Sequence, residues 1–511
     1  MSGEDLLLSE RDLRFAARRR LLGLVLAPAS MAAVLALVPA NMAPSAGRLL
    51  ATLVATLVLW TTEAIPVAVT ALLGPAVAVV LGVAPAEQMF AAFGNPLLFL
   101  FFGAFVLATA AERTRLDRVL AARLFPHESS SPEKTLAATS VVTAAISSLF
   151  SNTATTAMMV PVIRSAVARL GPRTQGVGLL SAAFSSSIGG VLTPIGTPPN
   201  LLAMAALSQY AKTSIPFFHW TLLALPMALA TLAVWLLLMV GAVRRERHMG
   251  ELVAAPAMAD VAAPGDALHL QAGQGPWGLN RGQTATLAVI CLAALGWVMP
   301  GALELTLDRG APEVLWLKKA LPEAVVAVLA AAALFVLPAA VRTVGGKSRP
   351  RPVLTWAEAV QIDWGTILLF GGGLALGEQV FKTGLSSWIG DAVVHTTGVN
   401  SELGLTILFS TTSLILSELT SNTATAAMMC PLAVMTAQQL GLPPVAPVVA
   451  CGLAASMGFL MPISTAPNAI VYGTGRVPLG LMMRYGIWLD LTGLLVIPPS
   501  VLWVTHWLGI R

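Results

Sequence analysis

The sequence predicts an all-α polytopic membrane protein, with about 11 transmembrane helices, two re-entrant helical hairpins and inverted-topology repeats. Three observations lead there. Only 11% of the 511 residues are charged and 56% are hydrophobic, whereas a soluble domain carries roughly 25% charge. The apolar residues gather into stretches close to the ~20 residues that a membrane-crossing helix needs. The chain also repeats itself: SNTATTAMMVP, beginning at Ser151, returns as SNTATAAMMCP, beginning at Ser421. Such a composition excludes a soluble enzyme, a disordered chain and a nucleic-acid-binding protein, despite a net charge of +5 and a pI near 9.4. Basic residues held in cytoplasmic loops produce that balance routinely. The expected partner of the surface is the lipid bilayer, and no nucleic acid.

The elements follow in order. Residues 1–48 form an N-terminal segment and a first helix over 21–38. Asp5, Glu10 and Asp12 interrupt its start, so it does not read as a cleavable signal peptide. The first repeat, 49–243, offers apolar stretches at 50–61, 65–83, 96–111, 135–150, 177–193 and 217–243. The segment 112–125 places Leu116, Val119, Leu120 and Leu124 on one helical face opposite its arginines, the pattern of an interfacial helix. Residues 244–283 are mixed, charged and rich in Ala, Pro and Gly, and read as a polar linker. The second repeat, 284–511, offers 284–298, 320–341, 366–377, 403–416, 445–462 and 487–508.

Loop charges set the orientation. Basic clusters lie at Arg11–Arg20, Arg113–Arg123, Arg244–Arg247 and Arg342–Arg351. All four fall on the cytoplasmic side if 135–164 and 403–435 enter the membrane and return as hairpins. The N-terminus is then cytoplasmic, the C-terminus extracytoplasmic, and the chain a multi-pass protein of the cell's inner membrane.

The repeat extends beyond the first motif. Ser151 and Ser421 stand 270 positions apart, TPIGTPPN and MPISTAPN end at Asn200 and Asn468, 268 apart, and LFLFFGAF and ILLFGGGL centre on Gly103 and Gly372, 269 apart. An odd number of crossings separates the halves, so they run in opposite senses. Inverted repeats of this kind mark transporters, with the site between the halves. Ser, Asn and Thr cost free energy in hydrocarbon unless satisfied or facing a cavity. They also cap helix N-termini, whose free N–H groups and partial positive charge suit an oxyanion. Two such tips would take a divalent anion. The proline-containing runs 196–200 and 464–468 break helices and free carbonyls, which with Asn and hydroxyl oxygens are hard ligands suited to Na⁺. A lone Ser/Thr/Asn run is commonly inter-helix glue; two copies, each paired with a proline break at the same distance, favour a site.

These residues resemble the divalent anion:sodium symporter family. The likeness rests on both SNTAT runs, SSIGGVLTPIGTPPN, WTTEAIPVAVTALL and ASMGFLMPISTAPNAIVYGTG. Ala455, Ser456, Phe459, Pro462, Ile463, Ser464, Asn468, Ile470 and Val471 fit the family signature. The resemblance covers roughly 50–508. It implies interleaved scaffold and transport domains, a homodimer and elevator-type alternating access. It implies substrate contacts at Asn152, Thr153, Thr197, Asn422, Thr423 and Thr465. It implies one Na⁺ site at Ser147, Ser151, Asn152 and Gly196, and a second at Ser417, Asn422 and Ser464. Ala466 stands where the family often has proline, which is expected to loosen the second break.

Other residues carry less. Cys291, Cys430 and Cys451 are widely spaced in apolar surroundings and form no disulfide framework or metal motif. Glu63 lies near a span end and Glu378 within an apolar stretch; Asp490 does too, and Glu418 sits beside the second SNTAT run, where it either tunes cation binding or holds the hairpin. Arg164 reads as a cytoplasmic anchor. GGGLALG follows no strand and reads as helix packing rather than a nucleotide loop. The expected function is sodium-coupled uptake of a small divalent anion, a C4 dicarboxylate foremost, by a protein that is not an enzyme. The alternatives are a sodium-independent dicarboxylate exchanger, a citrate or sulfate symporter and, remotely, an anion channel.

Overall fold

A computed structural model describes residues 10–39, 42–117, 119–120, 131–167, 171–248, 279–306, 311–342, 348–462 and 464–510. Proline repeatedly starts the helices, because its missing N–H costs nothing in the first turn. The first half contains α1 (Glu10–Leu37), α2 (Pro44–Thr62), α3 (Val67–Val80), α4 (Ala86–Phe90) and α5 (Pro96–Thr114). Asn95 caps α5, its side chain accepting the Leu97 N–H at 2.9 Å. A helix-turn-helix follows, α6 (Pro132–Ser147) and α7 (Asn152–Val167). Next come α8 (Pro172–Gly190), α9 (Pro198–Ala206), a π-turn (Leu207–Ala211) and the long α10 (Phe217–His248).

The second half contains α11 (Arg281–Thr306), α12 (Pro312–Ala320) and α13 (Glu323–Val336), then strands β1 (Pro338–Arg342) and β2 (Ser348–Pro352). After α14 (Trp356–Ala359), α15 (Trp364–Lys382) and α16 (Leu385–Thr397) comes a second helix-turn-helix, α17 (Glu402–Leu419) and α18 (Asn422–Gln439). It is followed by α19 (Val445–Ala455), α20 (Ala466–Gly473) and the long α21 (Leu479–Leu508).

Three expectations change. The stretch 320–341 is not one helix: Pro322 and Pro338 bracket α13, and beyond it the chain turns into an antiparallel hairpin pairing Pro338 with Pro352. The linker is shorter, since α10 reaches His248 and α11 starts at Arg281; residues 249–278 lie outside the described ones. In the segment 112–125, residues 112–114 complete α5 and Arg115 turns the chain with a left-handed backbone, φ 58°. Leu116 and Val119 are then buried in the core rather than turned to lipid. Leu124 lies outside the described residues.

Seven helices among the described residues are long and apolar enough to cross a membrane: α1, α2, α5, α10, α11, α17 and α21. Shorter apolar helices are α3, α13 and α19. Large apolar side chains such as Leu237, Leu292, Leu495 and Trp503 stand on the outside of the long helices, as a lipid-facing surface requires.

The halves are built alike and packed reciprocally. In the first, α6 and α7 pack on α8; in the second, α17 and α18 pack on α19. Across the halves, α9 lies on α18 and α19, and α20 lies on α7 and α8. The same exchange occurs elsewhere: α5 packs on α13, and α15 on α3. Glycine makes both of the latter contacts possible. A methyl group on Gly103 would run into the Ala327 backbone, and one on Gly372 into the Ala71 backbone. With no hydrophobic force between helices in lipid, such close backbone approach supplies the packing energy. The glycines of GGGLALG are therefore contact points, not a nucleotide loop.

Gly372→Val is expected to push α15 off α3 and cost about 1–3 kcal/mol or more, the range for overpacking. Gly480→Ala, where a methyl meets nothing within 4 Å, is the matched control. Thermal unfolding in detergent, followed by size-exclusion chromatography, should show a lower transition for the first and an unchanged one for the second.

Candidate functional site

The SNTAT runs form the turns of the two helix-turn-helix units. Ser147 ends α6, and its hydroxyl donates to Asn152 Oδ1 at 2.7 Å across the turn. In the second half, the Ser417 hydroxyl donates to Asn422 Oδ1 at 2.6 Å. Each asparagine is the first residue of its helix. Ser421 stands at the N-cap of α18 in extended conformation, φ −67° and ψ 133°, but its side chain makes no capping bond. Thr197 at the N-cap of α9 makes none either. First-turn N–H groups without a side-chain acceptor are the donors an anion needs.

The breaks are built by one device used twice. The Asn200 side-chain amide donates to the carbonyls of Gly190 (3.0 Å), Val191 (3.3 Å) and Thr193 (2.7 Å). The Asn468 amide donates to the carbonyls of Gly458 (2.8 Å) and Met461 (3.0 Å) and meets the Ser464 hydroxyl at 3.5 Å. Both asparagines are fully buried. Each therefore ties the end of one helix to the start of the next and satisfies carbonyls that the break sets free.

Gly190 and Gly458 then join break to hairpin. A methyl on Gly190 would strike the Asn152 amide, and a methyl on Gly196 would strike the Gly190 carbonyl. A methyl on Gly458 would come within 2.8 Å of Ser464 Oγ and 3.1 Å of Asn422 Oδ1. Ser147, Asn152 and Gly196 thus converge through Gly190, while Ser417, Asn422 and Ser464 converge through Gly458. Ser151 is exposed in the turn beside Asn152. Of the expected substrate threonines, Thr197 is buried, Thr423 and Thr465 are half-buried and Thr153 is exposed. Among the described residues no side-chain hydrogen bond joins the threonines of one half to those of the other. Sequence reasoning missed Gly190 and Gly458. Their signal is the repeat itself: they stand 268 positions apart, the same offset as the breaks.

The halves also differ. Glu418 spends its carboxylate on the second break, accepting the Leu460 and Met461 N–H groups at 2.9 and 3.1 Å. Ser148 is the residue 270 positions earlier, and there the Thr193 hydroxyl donates to the Ser148 carbonyl instead. Beside Ala466, the Thr465 hydroxyl accepts the Asn468 N–H at 3.2 Å, a cap that Thr197 lacks. Three other singled-out residues are structural. Glu63 ends α2 and pairs with Arg19 of α1. Glu378 pairs with Lys382 at 2.7 Å, and Arg164 is exposed. Beside the first turn lies a cavity of about 280 Å³ lined by Leu149, Phe150, Ile195, Phe217 and Trp297 among others. With only threonine hydroxyls as polar lining, it does not suit a dianion.

The sequence profile of the citrate transporters matches residues 57–439 and 313–508 of the chain. The chain belongs to the citrate transporter family. This transporter, a multi-pass membrane protein and not an enzyme, is 31% identical over 461 residues to an uncharacterized transporter of Haemophilus influenzae, covering 89% of this chain and 91% of that one. It is 29% identical over 461 residues to the sodium-dependent dicarboxylate transporter SdcS of Staphylococcus aureus, covering 87% and 83%. The likeness to the divalent anion:sodium symporters is therefore real. Among solved structures, the YdaH transporter of Alcanivorax borkumensis shares the fold, with a TM-score of 0.54 at 14% identity over 83% of this chain and 87% of that one.

Substituting the transporter's two linking glycines should separate them. Gly190→Ala drives a methyl into Asn152 and is expected to lower uptake at least about tenfold, a loss of ~1.4 kcal/mol. Gly458→Ala meets its neighbours at 2.8 and 3.1 Å and should cost less. Initial rates in proteoliposomes, normalised to reconstituted protein, check the order.

Proposed function

We propose that the protein is a secondary active transporter that couples Na⁺ to the uptake of a small divalent anion, a C4 dicarboxylate foremost. The observation that carries this reading is the doubled unit of hairpin asparagine, linking glycine and clamped break. The first unit supplies a helix N-terminus without a side-chain capping bond at α9 and the second at α18, and each adds a set of oxygen donors. Asn152, Thr153 and Thr197 would face the anion from one half, and Asn422, Thr423 and Thr465 from the other. One carboxylate would meet each helix tip.

Na⁺ would bind beside each tip, at Ser147, Ser151, Asn152 and Gly196 in the first half and at Ser417, Asn422 and Ser464 in the second. These residues offer hydroxyl, amide and main-chain oxygens, the hard donors Na⁺ prefers. None of the residues named is basic, so the negative charge of the substrate must be met by helix ends and by cations that bind with it. That is a physical reason for coupling. The named activity of SdcS, sodium-dependent dicarboxylate transport, supports the same assignment.

The two helix-turn-helix units read as re-entrant hairpins. Helices α6 and α7 have 16 residues each, about 24 Å at ~1.5 Å per residue, short of the ~30 Å hydrocarbon core; α17, at 18 residues, is long and apolar enough to cross, and for the second unit the reading rests on its likeness to the first. The halves then run inverted, with N-terminus cytoplasmic and C-terminus outside. The group α6–α10 with α17–α21 would form the transport domain, and α1–α5 with α11–α16 the scaffold. The transport domain would move as a body, elevator fashion, within a homodimer.

Uptake of labelled succinate, citrate and sulfate into proteoliposomes, with and without an inward Na⁺ gradient, tests the reading. Succinate uptake should require the gradient, and Asn152→Ala and Asn422→Ala should each reduce it at least about tenfold at normal expression. Succinate counterflow undiminished without Na⁺ would make the protein an exchanger instead. Near-normal uptake in both variants would sink the site assignment.

A further inference from the structure

The chain between α9 and α10 is fastened at both of its ends to helices of the other group. Gln209, in the π-turn, uses both atoms of its amide. Its oxygen accepts the Asn95 side-chain N–H at 2.9 Å, and its nitrogen donates to Glu378 Oε2 at 3.3 Å. Asn95 is the N-cap of α5 and Glu378 belongs to α15, so one side chain bridges two helices. The Tyr210 hydroxyl donates to the Leu374 carbonyl of α15 at 2.8 Å, and its ring stacks on Phe381 with centroids 5.2 Å apart. Gly377 leaves the room for that hydroxyl, since a methyl there would come within 2.2 Å of it. Lys212 then turns the chain with a left-handed backbone, φ 54°.

The far end has its own fastening. The N–H of Phe217, the first residue of α10, donates to Glu323 Oε1 of α13 at 2.7 Å. The Phe217 ring stacks on Trp297 of α11, 5.4 Å between centroids and 11° from parallel. The Trp297 indole N–H donates to the Glu323 carbonyl at 3.0 Å and closes the triangle. Between the two fastenings, the Gln438 amide of α18 donates to the Tyr210 carbonyl at 3.1 Å. The second half is built differently here. Helix α10 begins 19 residues after α9, whereas α21 begins 13 residues after α20. In that shorter link the Arg476 guanidinium donates to Gln175 of α8, a helix of its own group.

We propose that residues 207–217 act as a strap that latches the transport domain to the scaffold in the conformation described, and that both fastenings open in each transport cycle. The proposal rests on the grouping of helices read above, with α9, α10 and α18 in the moving group and α5, α11, α13 and α15 in the fixed one. A body that moves cannot keep these bonds to one that does not, because a hydrogen bond is lost beyond about 3.5 Å. Hydrogen bonds and ring stacks, unlike interlocked aliphatic side chains, break and remake without repacking a core. Helix α18 starts at the second hairpin tip, so the Gln438 bond ties the latch to that tip's helix. The extra length belongs to the first half alone. The latch therefore acts at one end of the cycle and biases the resting population toward this conformation.

The test bridges the strap to the scaffold. Asn95→Cys and Gln209→Cys are combined with Cys291→Ser, which removes the exposed native thiol, and a short bifunctional methanethiosulfonate joins the new pair. Na⁺-driven succinate uptake into proteoliposomes should fall to the level of empty liposomes once the bridge is in place, survive a monofunctional methanethiosulfonate, and return on reduction. Full uptake by protein whose intact mass shows the bridge overturns the proposal, and so does an equal loss with the monofunctional reagent. Hydrogen–deuterium exchange on the unaltered protein decides the matter where the bridge does not form or the variant is inactive. The backbone amides of 207–217 should exchange faster in Na⁺ and succinate than in choline, because local opening sets their rate. Equal or slower exchange overturns the proposal. A wild-type protein that takes up none of succinate, citrate and sulfate would sink the transport reading instead.

Discussion

A helix broken inside a membrane protein leaves carbonyls and N–H groups that water cannot satisfy. The rest of this site depends on how that debt is met. Asn200 and Asn468 each turn one side-chain amide onto the backbone of their own break, at distances of 2.7–3.3 Å and 2.8–3.0 Å to carbonyls. Once the break has a fixed shape, its glycine has a fixed place. Gly190 and Gly458 then present bare backbone to the hairpin asparagines. The Ser147 and Ser417 hydroxyls hold those asparagines from the other side. The chain of contacts runs from amide clamp to glycine to hairpin tip, and each link is present in both halves.

The halves are equivalent in this frame and unequal in charge. In the first, a hydroxyl–carbonyl contact between Thr193 and Ser148 connects break and hairpin. In the second, the carboxylate of Glu418 does so through two N–H bonds. A carboxylate acceptor makes stronger hydrogen bonds than a neutral oxygen, but it brings a charge into a poorly solvated place. The second break is thus held more firmly and at higher electrostatic cost. Any cation that binds near it relieves that cost, whereas nothing comparable applies to the first.

Much of this was legible in the sequence because the repeat is written in rare polar residues. Ser151–Asn152 and Ser421–Asn422 stand out in an apolar chain, and their constant offset pairs the halves without any structure. What stayed hidden has physical causes. Gly190 is one glycine among 43; its offset from Gly458 pairs it with a partner, but its role follows only from the closeness of the Asn152 amide. The end of α13 at Val336 was masked by the apolar run that continues into β1, because hydropathy does not separate a buried helix from a strand. Leu116 and Val119 have the spacing of an interfacial helix, yet that spacing equally suits a helix turned inward. The exchange of α9 and α20 between halves leaves no trace in composition at all.

That exchange bears on how the two halves act as one. Helix α9 starts at a first-half break but packs against α18, which starts at the second-half hairpin tip. Helix α20 does the converse against α7. A shift of either hairpin is therefore passed to the break of the opposite half through direct helix packing, because packed interfaces transmit displacement rather than absorb it. Occupying one hairpin–break unit changes the surface on which the other is assembled. If, as proposed, the two units meet opposite ends of one dianion, they need such a link, since a tip ordered alone would bind half a substrate. The reciprocal packing supplies it without a salt bridge or a basic residue at the site.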